Sequence, residues 1–474
     1  MPRIRDRSTV LQIHQGGGAL LEAITEAVAW LSDFRFRRRS MNWTRDMLEQ
    51  QQSRRFRQLV TFAAQRSPYY RALFAKHRLD PKTVQLAEIP PLTKQDLTEN
   101  FDRICTVPTV KANRIAQFIA ANPDPTQLLD GKFYVIRSSG TSGPPSHMAF
   151  SVREWIRGCS LQMSQTPGLQ WRRRLAFVGA TAGHFAGVSL ALTGRRGLNR
   201  LFMNCRVLDH NLPVEALVES LNEFQPQILS AYANLHTALA QQAMLGRLAI
   251  RPQYIVSSGE PLRPSLRQML EETYRAKVVD LYCSSETLLV AGGSSADGLM
   301  LYEEDNLLEP SADHCLVTNL FNRTIPLIRY RMNDLLQTCE SQQQDAPFRW
   351  IKGVAGRREE SFDLTNNNGD LEPIGPLAIL YLPIPDVPGL QLVVTSSTDL
   401  VFRILIPPET PAFDRARILR DTKLGIQDWL KRKRMDHHVR FEVVGVSKLE
   451  VDPHSAKTKL IIKPPLPTIR LRAA

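Results

Sequence analysis

Cysteine is scarce in this 474-residue sequence: Cys105, Cys159, Cys205, Cys283, Cys315 and Cys339, the nearest two 24 positions apart. No C-x-x-C pair occurs, so neither a zinc site nor a disulfide framework has local support, and a reducing compartment is expected. Long apolar runs are missing too. The most apolar stretch near the N-terminus, residues 19–34, is interrupted by Glu22, Glu26 and Asp33, which excludes a membrane-spanning helix there. Residues 1–7 are basic, but Gln, His and Gly follow where a signal peptide needs an apolar core. A cytoplasmic protein without a transmembrane segment is therefore expected. There is no internal repeat, no low-complexity tract and no G-x-x-x-x-G-K-[ST] phosphate loop.

Acidic residues are outnumbered, 47 against 60 Lys and Arg, for a net charge of +13. The surplus is confined to the ends. Residues 1–75 carry +7 and residues 415–474 carry +9, while the 339 residues between them carry −3. With no nucleic-acid motif present, a nucleic-acid partner is not expected. The composition, 43% hydrophobic and 23% charged, is that of a globular protein with two or three domains.

Leu20, Leu21, Ile24, Ala27, Val28 and Leu31 recur at helical spacing ahead of the basic run Arg35 to Arg39, which suits a core-facing helix with cations near its C-terminus. From residue 133 onward, strand and helix patterns alternate. Strands are expected at 133–137, 175–180, 228–232, 254–257 and 278–282, with helical stripes at 214–224 and 266–274. Such alternation predicts an α/β domain with mainly parallel sheets. Beyond a polar stretch at 356–370 come strand-like segments at 377–382, 390–395 and 400–406, a helix over 413–434, and strands at 439–444 and 459–462. That pattern predicts a small α+β domain. The expected division is a helical extension 1–50, a large domain 51–358 and a C-terminal domain 359–474.

Five segments could carry chemistry. Ser138-Ser139-Gly140-Thr141-Ser142-Gly143-Pro144-Pro145 follows a strand, and its glycines, hydroxyls and turn amides could surround phosphate oxygens. Tyr282-Cys283-Ser284-Ser285-Glu286 ends another strand with a carboxylate suited to Mg²⁺. Arg329-Tyr330-Arg331-Met332-Asn333-Asp334 and Gly356-Arg357-Arg358-Glu359-Glu360 offer ribose acceptors and guanidinium donors. Lys457 stands in a short turn near the C-terminus. Singly, each also reads as ordinary loop, strand-end or surface sequence.

Together with Gly259-Glu260-Pro261, and in this order, the series resembles the adenylate-forming superfamily of acyl- and aryl-CoA synthetases. The segments Ser67-Pro68-Tyr69-Tyr70-Arg71, Ile89-Pro90-Pro91-Leu92-Thr93-Lys94 and Pro326-Leu327-Ile328-Arg329-Tyr330-Arg331 resemble its phenylacetate–coenzyme A ligase branch. The resemblance implies a large adenylation domain and a mobile C-terminal lid. It also implies activation of a small-molecule carboxylic acid by ATP and Mg²⁺, with the acyl group passed to coenzyme A or to the phosphopantetheine thiol of an acyl carrier protein.

Carried over, Ser139, Gly140, Thr141, Ser142 and Gly143 would surround the phosphates, with Ser285 nearby. Gly259, Glu260 and Pro261 would line the adenine, and Tyr282 would lie on its face. Glu286 would bind the metal, Asp334 and Arg357 would hold the ribose, and Glu360 would be the hinge. Lys457 would be the catalytic lysine, and His184 either a gate or wall of the acyl pocket or a satisfied core histidine. Small residues at 180–187 favour an aryl acid. Pro145-Ser146-His147 stands where relatives place a phosphate-clamping cation, Asn333 where they have Gly, and Ala456 likewise. An amide-forming ligase and a non-catalytic nucleotide-binding relative are the alternatives; oligomeric state is not legible.

Overall fold

The computed structural model describes residues 8–138, 146–166, 171–181, 183–311, 314–339, 347–357, 362–374, 378–379, 382–385, 387–451 and 457–463. Six helices come first: α1 (Ser8–Ser40), α2 (Arg45–Arg66), α3 (Pro68–His77), α4 (Lys94–Glu99), α5 (Phe101–Ile104) and α6 (Ala112–Ala121). Local chemistry sets several of their ends. The Thr44 hydroxyl accepts from the Met47 N–H at the start of α2, and Thr93 with Asp96 forms a reciprocal capping box on α4.

The hairpin β1 (Phe133–Arg137) and β2 (His147–Ser151) leads into α7 (Val152–Gln165). Then follow β3 (Arg173–Gly179), α8 (Ala186–Thr193), α9 (Asn199–Phe202), β4 (Met203–Asp209), α10 (Val214–Phe224), β5 (Ile228–Ala231), α11 (Ala233–Met244), β6 (Tyr254–Ser258), α12 (Pro264–Tyr274) and β7 (Lys277–Ser284). In α10, Leu217, Val218, Leu221 and Phe224 are buried, the stripe that the 3.6-residue period requires. Strands β8 (Leu288–Gly293), β9 (Leu299–Leu301), β10 (Asn306–Pro310), β11 (Cys315–Asn319), β12 (Tyr330–Met332), β13 (Asp334–Thr338) and β14 (Trp350–Arg357) complete this part.

Nine of these strands form one sheet in the order β13-β14-β9-β8-β7-β6-β5-β3-β4. From β4 to β7 all pairings are parallel, as the alternating pattern predicted; from β7 to β13 all are antiparallel. The expectation of a mainly parallel sheet is corrected to a mixed one. The switch occurs because β7 turns directly into β8 through residues 285–287 instead of crossing over through a helix, and a tight turn can only join antiparallel neighbours. Tyr282-Cys283-Ser284-Ser285-Glu286 is that turn.

The C-terminal segment carries β15 (Phe362–Thr365), β16 (Leu371–Ile374), β17 (Gly389–Val394), β18 (Asp399–Leu405), α13 (Ala412–Arg432), β19 (Arg440–Val446) and β20 (Ile461–Ile462). Its sheet runs β19-β18-β17-β20 around a separate core that includes Leu392, Phe402, Ile404, Ile426 and Trp429. Segment 377–382, expected as a strand, is helical at 378–379.

Part of the basic N-terminal charge is paired within the fold. Asp33 and Arg37 of α1 are buried, and Ala29 and Trp30 join the largest core cluster. Arg157 of α7 donates to Asp33 at 2.8 Å and to Asp305 at 2.8 Å; Arg37 bonds Glu304 at 2.8 Å and also Asp305; Arg55 reaches Asp305 at 2.8 Å. Arg45 and Arg349 share Glu303 at 3.0 and 2.9 Å. The acid triple Glu303-Glu304-Asp305 thus pairs with Arg37, Arg45 and Arg55 of the basic N-terminal region. Burial alone would raise the Asp305 carboxyl, but Arg157, Arg37 and Arg55 outweigh it and hold the group well below the usual carboxylate range.

Candidate functional site

A cavity of about 840 Å³ runs between one face of the large sheet and helices α7, α8 and α1. Its polar end lies at the carboxyl ends of the parallel strands, where open α/β sheets bind ligands. Ser258, Gly259, Ser284, Ser285, Glu286, Arg331, Asn333, Asp334 and Lys457 line that end. Five residues named from sequence (Gly259, Ser285, Glu286, Asp334 and Lys457), spread over 198 positions, therefore face one space.

Each is placed by identifiable local structure. Glu286 stands in the three-residue turn between β7 and β8, where Ser284 pairs with Leu288 and the Ser284 hydroxyl accepts from the Thr287 N–H at 3.1 Å. Leu288 takes the left-handed conformation, φ 61°, that closes such a turn. Its side chain packs where α7 offers Gly158; a Cβ there would lie 2.2 Å from Leu288 Cδ1. The Glu286 carboxylate accepts from Ser146 Oγ at 3.3 Å and from Tyr330 Oη at 3.4 Å. A single carboxylate of this kind fits Mg²⁺, which usually takes one or two protein carboxylates and completes its shell with phosphate and water.

Asp334 opens β13 and pairs across the ladder with Arg357, whose main chain alone is described. The Asp334 carboxylate accepts from Tyr282 Oη at 2.6 Å. Tyr282 itself is buried in the large core cluster, so it acts on the site through Asp334. Cys283 lines the cavity, but burial pushes its thiol up to about 12, too high for a thiolate nucleophile at neutral pH.

Lys457 reaches the cavity from the C-terminal segment. Its Nζ lies 5.8 Å from the Tyr232 ring centroid, within cation–π range. Gly259 has φ +79°, and a Cβ built on it would sit 3.1 Å from Lys457 Cε. Glycine thus serves two purposes there: it adopts the left-handed turn and lets the lysine pass. Glu260, next in sequence, accepts from the Asn234 N–H at 2.9 Å and from the Thr458 N–H. Burial raises its carboxyl, and these two amides together with Lys457 oppose the rise. Sequence placed Glu260 beside adenine; the structure shows it tying the Lys457 loop to the N-terminus of α11.

Two further anchors were not read from sequence. Gln391, fully buried on β17, donates to Glu450 O at 2.9 Å and Lys459 O at 3.1 Å and accepts from the Glu450 N–H, so it clamps both arms of the Lys457 loop. The loop is closed by a bridge between Val451 and Thr458. Tyr232, whose phenol burial pushes up to about 12, forms the aromatic shelf beneath the lysine. A buried Gln on an otherwise apolar strand is the only sequence signal that could have flagged the first.

The three branch-like segments meet in space. Leu92 pairs with Tyr330 through bonds to Arg329 O and from the Arg331 N–H, and Tyr70 Oη donates to Pro326 O at 3.0 Å. Arg329 makes a two-pronged pair with Glu309 and donates to Ala87 O and Ile89 O, so its role is to hold this junction together. The junction brings Lys94 and Arg331 to the cavity wall. From sequence, Lys94 was assigned no role and Arg331 was read only as a guanidinium donor of its segment; both place cationic side chains on the wall.

For His184 the core reading holds and the gate reading is corrected. It is fully buried, its Nδ1 faces Val135 O at 3.1 Å, its Nε2 faces Asn122 O at 2.7 Å, and Phe118 packs edge-on against the ring. Both nitrogens are committed to main-chain carbonyls, so the side chain is a core strut and cannot gate the pocket; its neighbours Phe185, Ala186 and Gly187 form the wall. Pro261 does not line the cavity. Ser139, Gly140, Thr141, Ser142, Gly143, Glu360 and Ala456 lie outside the described residues.

No protein-family model matches the chain. Among solved structures, 2-hydroxyisobutyryl-CoA ligase in its postadenylation state with 2-HIB-AMP superposes with a TM-score of 0.62, covering 86% of this chain and 88% of that one at 19% identity. The fold is that of the adenylate-forming ligases. The same ligase in its thioesterification state gives 0.51, at 18% identity over 89% of this chain and 91% of that one. Curated relatives include a phenylacetate-coenzyme A ligase of Thermus thermophilus, 23% identical over 386 residues, 74% of this chain and 79% of the relative. Protein CapK of Staphylococcus aureus is 21% identical over 343 residues, 65% of this chain and 68% of that protein. Among the described residues, no helix is long and apolar enough to cross a membrane.

Proposed function

We propose that this protein is an ATP-dependent, AMP-forming carboxylate ligase that makes an acyl-adenylate and transfers the acyl group to a thiol, coenzyme A or a carrier-protein phosphopantetheine. The observation that carries the reading is the convergence of Lys457, Glu286 and Asp334 on one cavity at the carboxyl ends of the parallel strands. Asp334, held by Tyr282, accepts from the ribose hydroxyls, with Arg357 beside it in the ladder. Ser139 to Gly143 and Ser285 bind phosphate oxygens, and Lys94 and Arg331 supply cations toward the polyphosphate.

Attack of the carboxylate on the α-phosphorus builds negative charge on its oxygens. Lys457 places an ammonium where that charge develops, and a preorganised cation in a site shielded from water stabilises it strongly. Mg²⁺ held by Glu286 would neutralise phosphate charge and favour loss of pyrophosphate. The loop that delivers Lys457 is latched by Glu260 and clamped by Gln391, so closing it also excludes water from a hydrolysable adenylate. Transfer to the thiol then requires the C-terminal part to swing about a hinge near Glu360. The wall at Ala180, Ala186 and Gly187 admits an aryl or alkyl group next to the carboxylate.

The test is exchange of labelled pyrophosphate into ATP across a panel of alkyl and aryl acids, with ATP binding measured by calorimetry. Acid-dependent exchange supports the reading. No exchange with any acid, and no ATP binding, overturns it.

A further inference from the structure

The cavity is much longer than an adenylate with a small acid requires. Its floor is made by alternate residues of the parallel strands: Arg173, Leu175 and Phe177 on β3, Ile228 and Ser230 on β5, Val256 and Ser258 on β6. Leu175 pairs with Ile228, and Ile228 with Tyr254. Arg173 lies two residues before that level and Ser258 four after it. At about 3.3 Å per residue the cavity therefore extends about 20 Å along the strands. The lining changes along this path from Ser258, Ser230 and Ser284 at the Lys457 end to Leu175, Ile228, Met163 and Leu190 deeper in.

The far end is bordered by the N-terminal helix. Trp30 and Phe34 of α1, stacked with ring centroids 5.9 Å apart, form the wall there with Ala27 and Phe202. Helix α1 is fixed in that position by the buried pairs Arg157–Asp33 and Arg37–Glu304. Arg173, the charged side chain at this depth, donates to Thr166 O at 2.6 Å and lies over the Tyr254 ring, so its guanidinium is engaged by the protein.

We propose that the acid activated here carries a long, unbranched apolar tail that runs beneath α8 and ends against Trp30 and Phe34 of α1. The proposal rests on the carboxylate-ligase reading for the position of the carboxylate, beside Lys457. A single aromatic ring would fill the space next to Ala186 and Gly187 and leave the deeper apolar walls facing water, an arrangement that burial of apolar surface disfavours. With C–C bonds of about 1.5 Å, and so about 1.3 Å of length per carbon, 20 Å accommodates a chain of about fifteen carbons. The N-terminal extension thus determines chain length.

The experiment measures pyrophosphate exchange on the full chain with straight-chain acids from acetate to hexadecanoate, alongside benzoate and phenylacetate. Displacement of the fluorescent fatty acid cis-parinarate is measured in parallel. The expected result is a rise in kcat/KM of about fourfold per added methylene up to a tetradecanoate-sized chain. Ala27→Trp, which fills the cavity at α1, lowers the tetradecanoate-to-octanoate ratio of kcat/KM by about tenfold or more. Phe34→Ala moves the optimum to longer acids, a change that a merely misfolded variant cannot produce. Exchange supported by aryl or short acids and not by long ones overturns the proposal and leaves the ligase reading standing. If no acid supports exchange, the ligase reading fails, and the displacement arm still decides the cavity. Tetradecanoate displacing cis-parinarate at lower concentration than octanoate, with the order weakened in Ala27→Trp, upholds the tail site; no binding of the probe overturns it.

Discussion

The main-chain N–H of Thr458 donates to the carboxylate of Glu260, 198 positions earlier in the chain. This bond fastens the segment that carries Lys457 to the turn at the polar end of the cavity. Glu260→Ala should release the latch. Loss of a charged hydrogen bond of this kind is worth about 1.5–3 kcal/mol, so adenylate formation should fall by about tenfold to a hundredfold. Thioester formation from supplied adenylate, which does not use the latch, should fall much less. Rapid-quench measurement of both half-reactions checks this, and equal losses would remove Glu260 from its positioning role.

Gln391 acts on the same loop from its other side. Gln391→Leu keeps the volume and removes the bonds to Glu450 and Lys459. The expected outcome is a lower adenylation rate with KM for ATP little changed, since no group touching nucleotide is altered. A rise in KM without a fall in kcat would contradict the assignment.

Tyr282→Phe deletes the hydroxyl that donates to Asp334 at 2.6 Å. If Asp334 holds the ribose, KM for ATP should rise about tenfold or more, because a carboxylate loses the partner that orients it. Steady-state kinetics with ATP as the varied substrate provides the measurement.

Asp305 is the hub of three guanidiniums and is fully buried. Asp305→Ala leaves Arg37, Arg55 and Arg157 facing one another and should destabilise by about 3–5 kcal/mol, measured by urea unfolding. Because its carboxyl is held below the ordinary range when folded, the stability it confers is present above the unfolded carboxylate pKa and is lost on acidification.

Asp280 shows the opposite sign. Burial raises its carboxyl to about 7, only partly offset by Arg267. The folded state then binds the proton more tightly than the unfolded state, so stability declines as pH rises from about 4 to about 7. Asp280→Asn should melt above the wild type at pH 8 and equal to it at pH 4. The same difference at both values would refute this account.

Much of the large domain was legible in the sequence because parallel strands and amphipathic helices carry strong periods, as in α10 and at 254–258. The antiparallel half of the sheet was not, since its direction is decided by one turn, Ser284 to Leu288, whose role looked chemical and proved architectural as well. Glu286, Asp334 and Lys457 could be named because their residue types and order are informative. Gln391 and Tyr232 could not, since their importance comes from what they touch. His184 misled because a histidine among small residues looks the same whether its nitrogens face a ligand or two carbonyls. Within the basic N-terminal run, Arg37 pairs with Glu304 and Asp305 about 270 positions away, a partnership that no local pattern reveals.

The most direct test of the central claim compares Lys457→Ala with the wild type in the two half-reactions, using an acid that supports exchange. The account predicts that pyrophosphate exchange is lost by about a hundredfold or more, while thioester formation from purified acyl-adenylate is retained within a few fold. Undiminished exchange in the variant, or equal loss in both half-reactions, would contradict it.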